Sequence, residues 1–216
     1  MKSIGFKAFG FIIVLTFAAL ACAVPNLDSI LNPMPRDDFS NSSSGWGTGT
    51  DGSSSVEYAN DGLQMIVYIP FYVTWSTKGT EPYENIHIEA SVTNTSTDPE
   101  SLFGIICNEQ DTLNSFYYVG VSPDGYYAFI KSSLVGDDEY LKEGTSDVIS
   151  ATPDSMRIGL DCGGGTLILY VNGQQIDSVA DSTYTSGTFG LFAASDDQAN
   201  GTSVVFDDFV VTKLGE

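Results

Sequence analysis

Few residues in this chain combine a reactive type with a usable spacing. The single histidine, His87, lies in the run Glu84-Asn85-Ile86-His87-Ile88-Glu89, and the three cysteines, Cys22, Cys107 and Cys162, stand far apart. Retaining cleavage of a glycosidic bond needs two carboxyl groups roughly 5 Å apart. Alternate residues of a strand share a face, so Asn85, His87 and Glu89 point one way and Glu84 the other. One face therefore offers one carboxylate and no acid–base couple, and His87 reads as a polar-face residue. A second histidine and a serine nucleophile elbow are both missing, which removes triad chemistry. A catalytic dithiol would need a close Cys-x-x-Cys pair. Gly163-Gly164-Gly165 is followed by neither Lys nor a helical stripe, so it reads as a turn and not as a phosphate cradle. The residues point away from an enzyme.

Aromatic side chains are the remaining source of recognition. Trp46, Trp75, Phe116, Tyr117, Tyr118, Tyr126, Tyr127 and Tyr140 exceed what a core requires. Alternation places Tyr117 and Tyr118 on opposite faces, and likewise Tyr126 and Tyr127, so one of each pair is available to line a sheet surface. Tyr and Trp rings stack on the C–H faces of sugars while nearby Asn, Asp, Glu or Gln take the hydroxyls. The candidate ligand-binding set is Trp75, Tyr117, Tyr118, Tyr126 and Tyr127 with His87 and Glu89. The competing reading of each ring is filling between two sheets.

The 216 residues hold 28 acidic and 8 basic side chains, a formal net charge of −20. This charge opposes nucleic acid as a partner, since phosphate binding needs a basic face. It opposes electrostatic binding to anionic lipid too. It also predicts solubility, poor self-association and a monomer.

Lys2 and Lys7 precede the apolar run 9–20, and small residues follow at Ala18-Ala19-Leu20-Ala21-Cys22. That order is an export signal over residues 1–21, too short to span a bilayer comfortably. Ala19-Leu20-Ala21 suits an ordinary signal peptidase. With Cys22 it also resembles a bacterial lipobox, in which the cysteine becomes a lipidated N-terminus; Ala19 stands where that motif usually has Leu. Three cysteines in an exported protein leave one over, and lipidation accounts for Cys22. A free thiol is the alternative. Residues 22–36 carry three prolines and read as a tether. The expected location is the cell membrane or cell surface, attached through the lipid alone, or else secretion. Cys107 and Cys162 each follow an apolar strand in an oxidising compartment, and read as a disulfide.

From residue 37 onward apolar residues recur with period two between Gly, Asn, Asp and Pro. The spacing predicts strands at 46–49, 55–59, 62–69, 71–76, 85–92, 102–107, 115–121, 126–131, 156–162, 166–171, 174–179, 187–194 and 203–212. Asn172-Gly173 marks a type I′ hairpin turn, Ser122-Pro123-Asp124-Gly125 another tight turn, and Pro70 divides one long apolar stretch. Segments 133–155 and 195–202 are polar and read as surface loops. The fold class is all-β, with two packed antiparallel sheets over residues 37–216.

Three passages carry a resemblance. They are Asp37-Asp38-Phe39-Ser40 with Gly45-Trp46, Leu169-Tyr170-Val171-Asn172-Gly173 with Ile176, and Val205-Phe206-Asp207-Asp208-Phe209-Val210-Val211. In this order the chain resembles the concanavalin A-like jelly roll of laminin-G, family 16 glycoside hydrolase and 3-keto-disaccharide hydrolase-like domains. Cys107 and Cys162 occupy places similar to those in exported relatives. The resemblance implies that first and last strands pair, bringing the two Asp-Asp-Phe runs together. It also nominates Asp208 for a structural calcium ion, against the alternative of a solvated acidic surface; no other cofactor is implied. Family 16 hydrolases carry a Glu-x-Asp-x-x-Glu strand, and here two of the three carboxylates are missing. The expected function is a non-catalytic, lectin-like binder of glycan or another envelope ligand. A divergent glycoside hydrolase and a structural module of the envelope are the alternatives, because fold alone does not set function.

Overall fold

The computed structural model describes residues 34–110, 115–133 and 136–215. Residues 1–33, with Cys22, the segment expected to be an export signal and most of the expected tether, lie outside the described residues. Met34 packs on the core and Arg36 is already in a strand, so the last three tether residues belong to the folded unit.

Fifteen strands form among the described residues. They are β1 (Arg36–Asp37), β2 (Gly49–Thr50), β3 (Ser54–Ala59), β4 (Gly62–Val67), β5 (Val73–Thr77), β6 (Ile86–Asn94), β7 (Leu102–Glu109) and β8 (Phe116–Val121). There follow β9 (Tyr126–Ser132), β10 (Glu139–Thr145), β11 (Ser155–Gly163), β12 (Thr166–Val171), β13 (Gln174–Ala180), β14 (Thr188–Ala194) and β15 (Thr202–Lys213). One sheet has the order β13-β12-β11-β6-β15-β4-β3-β2, with β1 also on β15; the other runs β10-β9-β8-β7-β14-β5. Neighbours pair antiparallel throughout, for example His87 opposite Asp161 and Gly104 opposite Gly120.

Period-two burial drives this arrangement. In β6 Ile86, Ile88, Ala90 and Val92 are buried while His87, Glu89 and Ser91 are not, as alternation predicts. The main core lies between the sheets, with Ile88, Leu160 and Val211 from the larger sheet meeting Ile105, Val119 and Leu191 from the smaller. β8 is buried at every position, because the smaller sheet carries a second apolar cluster on its outer face.

The hairpin between β12 and β13 turns at Asn172 and Gly173, both at positive φ, as the Asn-Gly pair requires. Chain end meets chain start: Asp37 pairs with Phe209 in β15. Asp37 accepts hydrogen bonds from Trp46 Nε1 at 3.0 Å and Lys78 Nζ at 2.5 Å. Trp46 is therefore a core residue and not a surface aromatic.

Two expectations fail. Where a strand was expected at 46–49, Trp46 makes an isolated bridge to Lys78 and the strand, β2, starts at Gly49. Segment 133–155 contains β10 and a short helix, α1 (Asp147–Ser150), capped by Ser146. β10 (Glu-Tyr-Leu-Lys-Glu-Gly-Thr) lies at a sheet edge with nearly all of its residues exposed or half-buried. A charged edge strand has no buried face and so shows no apolar alternation.

Candidate functional site

The outer face of the six-stranded sheet is apolar where an exposed sheet face would ordinarily be polar. Ile106, Phe116, Tyr118, Ala128, Ile130, Phe192 and Ala194 are buried there, with Val73, Leu102 and Tyr126 packed against them. Gly104 and Gly120 face each other across β7 and β8, and the Phe192 ring occupies the space a side chain on Gly120 would need.

A cleft of about 500 Å³ opens on this face, floored by Tyr118, Tyr126 and Ile130. Phe71 and Tyr140 also line it, and they are 76% and 59% exposed. Phe71 follows Pro70 and holds φ at +54°, a left-handed value that an L-residue rarely adopts. Its amide donates to the Asp196 carbonyl at 2.8 Å, which ties it to the opposing loop. The ring of Phe71 is thus held out in solvent by a backbone conformation that the surrounding structure must impose. A second cleft of about 320 Å³ adjoins the first through Val73, Tyr118 and Asp138, and Trp75 and Phe116 line it with ring centres 5.8 Å apart.

Four carboxylates, Glu100, Asp124, Asp138 and Asp196, line the larger cleft, and none of its described lining residues is Lys, Arg or His. Tyr118 donates its hydroxyl to Asp138 at 2.5 Å, and Tyr126 donates to Glu143 at 2.7 Å. Burial first, then these carboxylates, push both phenols far up, so they remain protonated donors. Hydrogen bonding and charge from Asp196 raise Glu100 above the usual glutamate value.

Of the seven candidates from the sequence, three share this face: Trp75, Tyr118 and Tyr126. Tyr117 and Tyr127 instead point into the layer between the sheets, with hydroxyls donated to Asp181 and Asp177. His87 and Glu89 lie on the outer face of the nine-stranded sheet, the opposite side of the sandwich. There a chain of contacts is complete: Tyr170 to Asp161 at 2.9 Å, Asp161 to His87 Nδ1 at 2.5 Å, His87 Nε2 to Glu89 at 3.2 Å, and Glu89 to Arg157 at 2.9 Å. Burial would raise Glu89, but Arg157 and His87 outweigh it and hold the carboxyl below its ordinary value. The network is a saturated polar brace.

Asp208 is exposed, at φ +53° in an irregularity of β15, and its carbonyl accepts from Arg157 at 3.3 Å. Calcium takes six to eight oxygens. Among the described residues no three acidic, His or Cys side chains gather to hold a metal, and neighbouring Asp37 is engaged by Lys78. Cys107 and Cys162 form the expected disulfide, joining β7 of one sheet to β11 of the other.

Glu100 and Phe71 were not singled out in the sequence. They lie on loops that only the fold draws together; the sequence signal was Pro70-Phe71, an aromatic beyond a strand break.

No protein-family model matches the chain, and no curated protein does. Solved structures do share its fold. A carbohydrate-binding module of Bacillus subtilis, CBM66, is 14% identical with a TM-score of 0.60 over 79% of this chain and 96% of that one. A Bacillus subtilis protein of unknown function with a galectin-like fold is 14% identical, with a TM-score of 0.61 over 83% and 94%. A Bacillus licheniformis beta-glucanase is 12% identical, with a TM-score of 0.60 over 83% and 98%. The fold is the concanavalin A-like jelly roll.

Proposed function

We propose that the folded unit is a non-catalytic glycan-binding module, displayed at the cell surface by an exported lipoprotein anchored through Cys22. The aromatic cleft carries this reading. Exposed Phe71 and Tyr140 offer faces for a sugar ring, and Glu100, Asp124 and Asp196 offer acceptors for hydroxyls. The fold shared with a carbohydrate-binding module and a beta-glucanase is consistent with it. Glycan-array binding by the full chain tests it. Binding that weakens in Phe71→Ala and Tyr140→Ala supports the reading, and silence across neutral, charged and amino glycans sinks it. For the anchor, mass spectrometry of the N-terminal peptide should show acyl mass on Cys22; an unmodified cysteine there refutes lipidation.

One observation favours a second reading, a divergent glycoside hydrolase: Glu100, raised by Asp196, shares the lining of the cleft with it. Retaining hydrolysis needs its two carboxyls roughly 5 Å apart and inverting hydrolysis needs more. Turnover of an oligosaccharide that disappears in Glu100→Gln would establish the enzyme and end the non-catalytic reading.

A further inference from the structure

We propose, resting on the glycan reading above, that the smaller cleft at Trp75 is a second sugar compartment, so that this face binds chains of neutral sugars in preference to a single sugar. The two clefts hold about 500 and 320 Å³ and share Val73, Tyr118 and Asp138 in their linings. Phe71 and Tyr140 line only the larger, and Trp75 and Phe116 only the smaller. Each compartment therefore has its own aromatic platform, and the Tyr118–Asp138 pair is common to both.

Local structure builds the smaller compartment. Thr74 and Ser76 are buried on the inner side of β5, so alternation turns Trp75 outwards, where it is 36% exposed. Its ring centre lies 5.8 Å from that of buried Phe116. Trp75 thus rests on a fixed ring and leaves part of its own surface to a ligand. The shared partition is equally fixed. The Tyr118 ring packs edge-on against Phe116 and Phe192 at 5.8 and 5.2 Å, and its hydroxyl donates to Asp138 at 2.5 Å. Groups already held in place lose little freedom when a ligand arrives.

The chemistry of the linings selects the occupant. Among the described lining residues of both clefts there is no Lys, Arg or His, and Asp138 serves both. Ionised carboxylates accept from hydroxyl donors and repel anions, so an uncharged polyol chain fits and a chain of uronic acids does not. A lone sugar fills one compartment at a time. In a chain, the ring seated in the larger cleft holds its neighbours at high effective concentration beside Trp75, so affinity grows with length.

The test is calorimetric titration of the full chain with neutral glucan, xylan, mannan and fructan oligosaccharides, each from disaccharide to hexasaccharide. In the series that binds, affinity should rise about tenfold or more with length and then level off. Trp75→Ala should remove most of that rise, so that short and long chains bind nearly alike, whereas Phe71→Ala should weaken every length. Trp75→Leu keeps apolar packing on Phe116 and removes the aromatic face, so it should lose the rise even if Trp75→Ala is unstable; unfolding midpoints are measured alongside. A rise with length that persists in either folded Trp75 variant overturns the inference. Equal affinity at all lengths also overturns it and leaves the glycan reading standing, as does silence of these series beside array binding of another glycan. Silence with every glycan ends the glycan reading itself, and this inference with it. Tighter binding of a galacturonic acid oligomer, or of a proline-rich peptide, than of any neutral sugar chain would give the face to another occupant and overturn the inference.

Discussion

Tyr117 and Tyr118 are consecutive in β8, and their hydroxyls donate to carboxylates on opposite sides of one sheet, Asp181 on the inner side and Asp138 in the cleft. The pleat makes one a structural strut and puts the other in the floor of the cleft. Tyr117→Phe is expected to lower the unfolding free energy by about 1–2 kcal/mol and leave glycan affinity alone. Tyr118→Phe releases Asp138 and should weaken binding several-fold. Denaturant unfolding and titration of both variants check the split; equal losses of affinity would contradict it.

Acid stability should follow Asp181. Burial pushes its carboxyl up, but donors from Tyr117, Thr183 and Lys131 outweigh burial and hold it at about 2 against an ordinary 3.8. A depressed folded-state value contributes stability that is complete above the unfolded value and lost as pH falls through the folded one. The contribution is about 2 kcal/mol, and it should fade between pH 3.8 and about 2. Urea unfolding across that window should show a shallower decline in Asp181→Asn than in the parent.

The Cys107–Cys162 bond closes a loop of 55 residues and links the two sheets. In the chain-entropy model its removal costs about 4 kcal/mol. The Cys107→Ala, Cys162→Ala variant should unfold at markedly lower denaturant, with the slope of the transition raised as the unfolded chain expands.

Lys78→Met tests the closure of the first strand onto the last. The Asp37 side chain is 5% exposed, so losing its cation leaves a buried carboxylate held by neutral donors alone, Trp46, Ser44 and the Phe39 amide. Destabilisation of about 3 kcal/mol is expected, with most of it recovered in Lys78→Met combined with Asp37→Asn. Thermal and denaturant midpoints of the single and double variants give the coupling.

The rim rings should affect binding and not stability. Phe71→Ala and Tyr140→Ala each remove an exposed ring, so the unfolding midpoint should move little, while affinity for a bound glycan falls about tenfold. A drop in stability without a loss of affinity would assign these rings to packing instead.

The alternation of Ile86, Ile88, Ala90 and Val92 and the Asn172-Gly173 turn were legible in the sequence as local patterns, one recording which face is buried and the other where the chain reverses. The pairing of Asp37 with Phe209 followed from the family resemblance and not from any local pattern. β10 was not legible, because an edge strand with no buried face leaves no apolar period. The sequence could also say that Tyr117 and Tyr118 diverge, and Tyr126 and Tyr127 likewise, but not which member of each pair faces out. Period two fixes relative orientation only. Absolute orientation follows from which side of the sheet its partner layer covers.

The sequence alone determined the all-β class, the turns, the acidic surface and the candidate disulfide, since these depend on neighbours along the chain or on composition. The tertiary structure decided that Trp75, Tyr118 and Tyr126 share a surface, that His87 and Glu89 lie on the other side, and that Glu100 and Asp196 line one cleft. Those relationships join residues from separate strands and loops. Only the docking of two sheets, each hiding one face from water, brings them together.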